Sequence, residues 1–201
     1  MRAMFLREFA VAALALAFVI GGATRAWAQT TGSRTLGVPG EPITPTRIDS
    51  LLATPNLVLV ADYYRIDMRF GPSIRIDAVI VEAIDSRTRI KGLRVQVRDP
   101  ESRGRQDGTS YIDLDELVTL SRALGAMAER AERWTHDDRQ ATELAFTTAG
   151  GFRLAIRQSA RVPRAFLSTG LFDPVVTSID LIELPTLKSA FEQALAILNS
   201  K

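Results

Sequence analysis

The 201-residue chain has no cysteine and a single histidine, His136. These two absences exclude disulfide stapling, a lipid-modified cysteine and the usual cysteine and histidine ligands of a structural zinc site. Lysine is nearly missing too: Lys91, Lys188 and Lys201 are its only lysines, so arginine carries almost all the positive charge. Such a bias reflects the base composition of the gene first and planar anion recognition second. A membrane-spanning helix requires roughly 20 apolar residues. The apolar run Phe9 to Ile20 stops short of that, at Gly21, Gly22 and Arg25.

What is present at the start reads as an export leader. Arg2 and Arg7 supply a basic beginning, Phe9 to Ile20 the apolar stretch, and Ala26-Trp27-Ala28 a small-x-small cleavage site. Residues 1–28 are therefore expected to be removed before Gln29. Paired arginines of a twin-arginine signal are missing, so the general secretory route is expected, with delivery to the periplasm or the exterior and no stable membrane anchor. Within the leader, Arg2, Arg7 and Arg25 oppose Glu8, which accounts for the whole formal charge of +2. The remainder is balanced, and a balanced chain gives no support to a nucleic-acid partner. Residues 29–47, rich in Thr, Gly and Pro, are expected to be a flexible lead-in.

Beyond it the hydrophobic period alternates between two and 3.6 residues. Ile48 to Ala53 suggests one helical turn before Pro55. Tyr64, Ile66, Met68 and Phe70 then share one strand face, with Arg65, Asp67 and Arg69 on the other. Ile74 to Val81 and Leu93 to Val97 continue the alternation, Tyr111 and Ile112 add a brief strand, and Leu114 to Ala131 has helical spacing up to Trp134. Strands at 144–148, 152–158 and 165–168 follow, the first two joined at Gly150-Gly151, and Leu187, Phe191, Leu195 and Leu198 mark a last helix.

Ile112 to Leu120 returns as Ile179 to Leu187, identical at seven of nine positions. Gly92 to Arg98 also resembles Gly151 to Arg157. The two matches imply an internal duplication. The expected fold is α+β: a duplicated unit of antiparallel strands followed by a helix, giving two sheets and two long helices with pseudo-twofold symmetry. One domain, 48–201, would hold both units, at about 57–134 and 140–200.

Chemistry is sparse. Asp113, Asp115 and Glu116 suit helix capping, with Asp113 as N-cap and Glu116 completing a capping box, better than they suit metal binding. Asp180 and Glu183 occupy the matching places in the second copy. His136 beside Asp137 and Asp138 is the one arrangement with acid/base character, and the spacing places it in a loop. Gly150-Gly151 lacks the strand-loop-helix context of a phosphate cradle. The outward arginines Arg65, Arg69, Arg94, Arg98, Arg153 and Arg157 are the candidate ligand-binding residues, since planar guanidinium groups on a sheet face suit an anion. Asp67, Asp77 and Glu82 can pair with such arginines across strands. Tyr63, Tyr64, Phe70, Phe146, Phe152, Phe166 and Phe172 lie on or near strands, where they fill a core or line an apolar cavity.

The phrase Tyr111-Ile112-Asp113-Leu114-Asp115-Glu116-Leu117, with Gly150-Gly151-Phe152 downstream, resembles a pattern of uncharacterised bacterial exported proteins. The order of strands and helices is similar to that of the Whirly family, in which two strand-helix units pack with their sheets crossed and bind single-stranded nucleic acid. That resemblance implies topology alone. Together these features lead us to expect a non-enzymatic periplasmic or secreted binding module, for a protein or a small apolar or anionic ligand. The alternatives are a lipid or small-ligand carrier and a hydrolase built on His136. No catalytic residue, metal or cofactor is assigned, and the oligomeric state is left open.

Overall fold

Two stretches of four strands, each leading into a long helix, organise the molecule. The computed structural model describes residues 45–67, 73–99, 107–134, 141–159 and 162–201, all within the unit Pro42–Lys201. The leader, most of the lead-in, Arg69, Phe70 and the trio His136, Asp137 and Asp138 lie outside the described residues. A short helix α1 (Arg47–Leu52) precedes β1 (Leu59–Arg65), β2 (Ile74–Ala83), β3 (Thr88–Arg98), β4 (Asp107–Asp113) and helix α2 (Leu114–Trp134). Then come β5 (Ala141–Thr147), β6 (Arg153–Ser159), β7 (Val162–Thr169), β8 (Val175–Ile179), a 3-10 turn and helix α3 (Leu184–Ser200). The sheets are antiparallel, ordered β1-β2-β3-β4 and β5-β6-β7-β8. The α+β class and the duplicated strand-helix layout are therefore as the hydrophobic pattern predicts.

One face of each sheet turns inward. Ile76, Ala78, Leu93, Val95 and Ile112 from the first sheet meet Leu154, Ile156, Leu167 and Ile179 from the second in one core. The helices close it with stripes at helical spacing: Leu117, Leu120, Leu124 and Ala131 from α2, and Leu187, Phe191, Ala194 and Leu198 from α3. Phe152 and Phe191 meet edge to face, with ring centres 6.2 Å apart.

The outer face of the first sheet is also covered, at its apolar residues Val79 and Val81. Ile48 and Leu51 of α1 pack on Val79, Val81 and Ala83, forming a second, smaller core. Thr46 caps α1 through its Oγ1, which accepts from Asp49 N at 2.9 Å. Gly92 makes room for this helix: a Cβ there would stand 2.6 Å from Ile48 Cδ1 and 2.3 Å from the Ile112 carbonyl oxygen.

Two sequence readings are corrected. The repeat at Ile112 and Ile179 does mark equivalent places, the end of a fourth strand just before a helix. The match between Gly92 and Gly151 does not: the first lies inside β3, the third strand of its sheet, whereas the second is a turn glycine at φ 74° before β6, a second strand. Alternating Arg and aliphatic residues are common to any half-buried strand, so the likeness reflects period and not descent. The two matches lie 67 and 59 residues apart, which implied an eight-residue insertion between Ser159 and Val176 of the second copy; residues 162–176 are instead β7, a turn and the start of β8.

The capping roles also part. In the second copy Asp180 N donates to Glu183 Oε2 at 3.0 Å, and Pro185 sits in the first turn of α3, where no backbone donor is needed. In the first copy Asp113 turns to α1 instead, accepting from Arg47 N at 2.9 Å and Arg47 Nε at 3.1 Å. Glu116 Oε1 accepts from Ala149 N at 2.8 Å, so it holds the β5 to β6 turn.

Candidate functional site

Strand pleating places every second residue on the outward face, and register then sets their neighbours. On the first sheet the row Arg65, Asp77, Arg94 and Tyr111 crosses all four strands. Asp77 is fully buried, and its carboxylate accepts from Arg75 Nε at 3.1 Å and from Arg94 Nη2 at 2.9 Å. The Arg94 guanidinium lies over the Tyr63 ring at 3.9 Å from its centre. That stacking holds the plane of the guanidinium while its edge faces the carboxylate.

Tyr111 closes the row. Burial chiefly, and then its hydroxyl's hydrogen bond with Tyr63, push its pKa up to about 12, against a smaller downward pull from Arg94. Because the folded value lies above the ordinary 10.0 of tyrosine, the folded state holds this proton more tightly than the unfolded chain. The stability contributed is complete below pH 10.0 and falls as pH rises toward about 12. Ultraviolet absorbance titration of the folded protein should show one tyrosine ionising near pH 12. Absence of any tyrosine ionising above the ordinary 10.0 would contradict this placement.

The second sheet repeats the device with different residues. Glu143 on β5 receives both Arg153 and Arg157 of β6, and Arg157 lies over the ring of Phe166 on β7, 5.2 Å from its centre. Arg164 stands directly across from Arg157 and is exposed. Hydroxyls of Thr147 and Ser168 flank Arg153 in the register, and Ser178 flanks Phe166. This outer face thus carries Arg153, Arg157 and Arg164 against one carboxylate, with an aromatic floor. The two sheets differ in cover, since α1 lies on the first, whereas Ala145, Thr147 and Ser178 on the second are exposed.

Each arginine singled out from the sequence now has a place. Arg94 joins Asp77, Arg98 donates to Asp107 at 2.9 Å through Nε, and Arg153 and Arg157 share Glu143. Arg65 is exposed at the free end of the Asp77 row, and Arg69 is outside the described residues. Hydrogen bonding and charge raise the Arg98 pKa through Asp107, and that of Arg47 through Asp113. Of the aromatics, Phe152 is wholly in the core while Phe172 is 91% exposed. Arg164 and Glu143 were missed from the sequence. The signal was there: Arg164, Phe166 and Ser168 alternate outward along β7.

Among the described residues no three acidic or histidine side chains converge as metal ligands, and no helix is long and apolar enough to cross a membrane. In comparisons with known proteins, no family model matches the chain and no curated protein matches it.

Proposed function

We propose that the chain is an exported, non-enzymatic binding module that holds an oxyanion-bearing ligand on the outer face of its second sheet. The observation that carries this reading is the pair Arg153 and Arg157 forked on Glu143 above Phe166, with Arg164 beside them. One carboxylate fixes the two guanidinium planes, and their remaining N–H groups and all of Arg164 are left for a carboxylate, sulfate or phosphate. A flat aromatic floor and nearby hydroxyls suit a sugar acid or another ring-bearing anion.

Titration with polygalacturonate, and separately with phosphatidylglycerol vesicles, separates a soluble acidic polymer from a lipid headgroup. Binding of at least one probe is expected, weakening as salt rises. Arg164→Glu should weaken it about tenfold, the loss of one charged hydrogen bond. Arg133→Glu on the far end of α2 should leave it unchanged. Failure to bind either probe, or equal affinity in the Arg164→Glu variant, would overturn the proposal.

A further inference from the structure

Each sheet has two edge strands; β4 and β8 lie against the opposite sheet, whereas β1 and β5 make no comparable contact with a described strand other than their ladder partners β2 and β6, and these two edges are unlike. Among the described residues eight large hydrophobic side chains are exposed, and four of them cluster at β1: Val58, Val60 and Tyr63, with Ile84 opposite Val58. None belongs to β5. Exposed edges are ordinarily blunted by lysine, proline or a bulge. β1 has no lysine, proline or bulge, pairing with β2 over seven consecutive residues without interruption from Leu59 to Arg65, and its charges are Asp62 and Arg65.

The ladder fixes which backbone groups are unused. Ile66 N donates to Ile76 O at 3.0 Å, and Ile84 N donates to Val58 O at 3.0 Å, so the even-numbered residues of β1 bond toward β2. By alternation the N–H and C=O groups of Leu59, Ala61, Tyr63 and Arg65 point to the free edge. A strand that meets a second copy of itself antiparallel does so about an axis normal to the sheet, which keeps each face continuous across the junction.

Three centres lie at the middle of β1: Ala61, Asp62 and Tyr63. Centring on Asp62 sets that carboxylate against its own copy, a like-charge contact that is unfavourable. Centring on Tyr63 pairs Val60 with Ile66, which is already buried at 3% exposure, and draws Val58 away from the seam. Centring on Ala61 places Val58 against Tyr64, Leu59 against Tyr63 and Val60 against Asp62, with no like charges opposed. It also covers all three exposed apolar residues of this edge.

We infer that β1 is a self-association edge: two copies join antiparallel about Ala61, making one eight-stranded sheet from the two first sheets. The joined outer faces bring the Arg65, Asp77 and Arg94 rows of both copies side by side, with each Tyr63 beside Leu59 of the second copy. This edge is remote in sequence from the second-sheet face proposed to bind anions, and neither reading requires the other.

The cysteine-free chain makes the test clean. Sedimentation of the mature protein should give twice the mass of one chain. Single variants Ala61→Cys, Asp62→Cys and Tyr63→Cys, oxidised mildly, read the register: Ala61→Cys should form the disulfide dimer fastest, since opposed Cα atoms about 5.5 Å apart suit the bond. Ala61→Pro removes a donor from the free edge only and leaves every bond to β2, so it should weaken dimerisation at least about tenfold with unchanged circular dichroism. Val60→Asp, which sets a like charge against Asp62 of the second copy without altering the backbone, should do the same. A wild-type monomer at high concentration, faster linkage at Asp62→Cys or Tyr63→Cys, or dimers unaffected by both blocking variants would overturn the inference.

Discussion

Asp77→Ala is expected to lower folding stability by about 3–5 kcal/mol, the cost of breaking a buried ion pair by removing one partner. The side chain is 0% exposed, and both its oxygens are occupied by Arg75 and Arg94. The two arginines respond differently to its loss. Arg75 is 46% exposed and turns to water at little expense. Arg94 is only 16% exposed and held flat on Tyr63, so its charge stays where it is without a counter-ion. Asp77→Asn, which keeps one acceptor, should lose less, and Asp77→Ala combined with Arg94→Leu should recover part of the loss. Urea unfolding measures this as a lower midpoint at constant slope. The exposed pair of Lys188 with Glu192 supplies the scale: Glu192→Ala should cost about 0.3–0.5 kcal/mol. If Asp77→Ala costs no more than that, the buried network is not holding the outer face together.

Phe152→Ala should be comparably damaging, about 3–5 kcal/mol, through the cavity left at a fully buried ring. Its backbone is pinned independently of the ring, with Phe152 N donating to Thr148 Oγ1 at 3.2 Å and Thr148 N donating to Phe152 O at 2.9 Å. The hairpin turn therefore survives, and the loss reads out the contact with Phe191 on α3 together with the surrounding core. A thermal midpoint lower by about 10 °C or more is expected. Phe191→Ala should match it, and the double variant should fall short of the sum by about 0.5–1.5 kcal/mol, the worth of an edge-to-face pair. Strict additivity would mean that the rings stabilise separate parts of the core.

The strands that show their period plainly, β2, β3 and β6, are those with consecutive aliphatic inward positions: Ile74 to Ile80, Leu93 to Val97, and Leu154 with Ile156. β4 hides because two of its inward positions are Gly108 and Ser110. A Cβ at Gly108 would stand 2.4 Å from Thr169 Oγ1, and Ser110 Oγ accepts from Gly170 N at 3.0 Å. The second sheet approaches there too closely for large side chains, so the apolar alternation is erased where the two sheets meet. β8 is only five residues long and shows Val175, Thr177 and Ile179 inward, a pattern too short to stand out from a loop.

The candidate site was partly legible for the same reason. Arginine alternating with aliphatic residues places Arg94, Arg153 and Arg157 on outward faces, because pleating is a local property. Their partners depend on register, which joins Arg94 to Asp77 across 17 residues and Arg157 to Glu143 across 14. A carboxylate two positions further along either strand would have left the same sequence pattern and a different face.

By itself the sequence determined the kinds of element, the inward and outward sides of most of them, and where the two long helices begin, since period and capping residues act within a few positions. The tertiary structure decided the rest. It sent Asp113 across 66 residues to the start of α1 instead of its own helix, laid α1 over one outer sheet face, and placed no other described segment on the second outer face or along the β1 edge. The reason is that a carboxylate is satisfied by whichever N–H groups the topology brings within reach, and an apolar face by whichever segment is long enough to cover it.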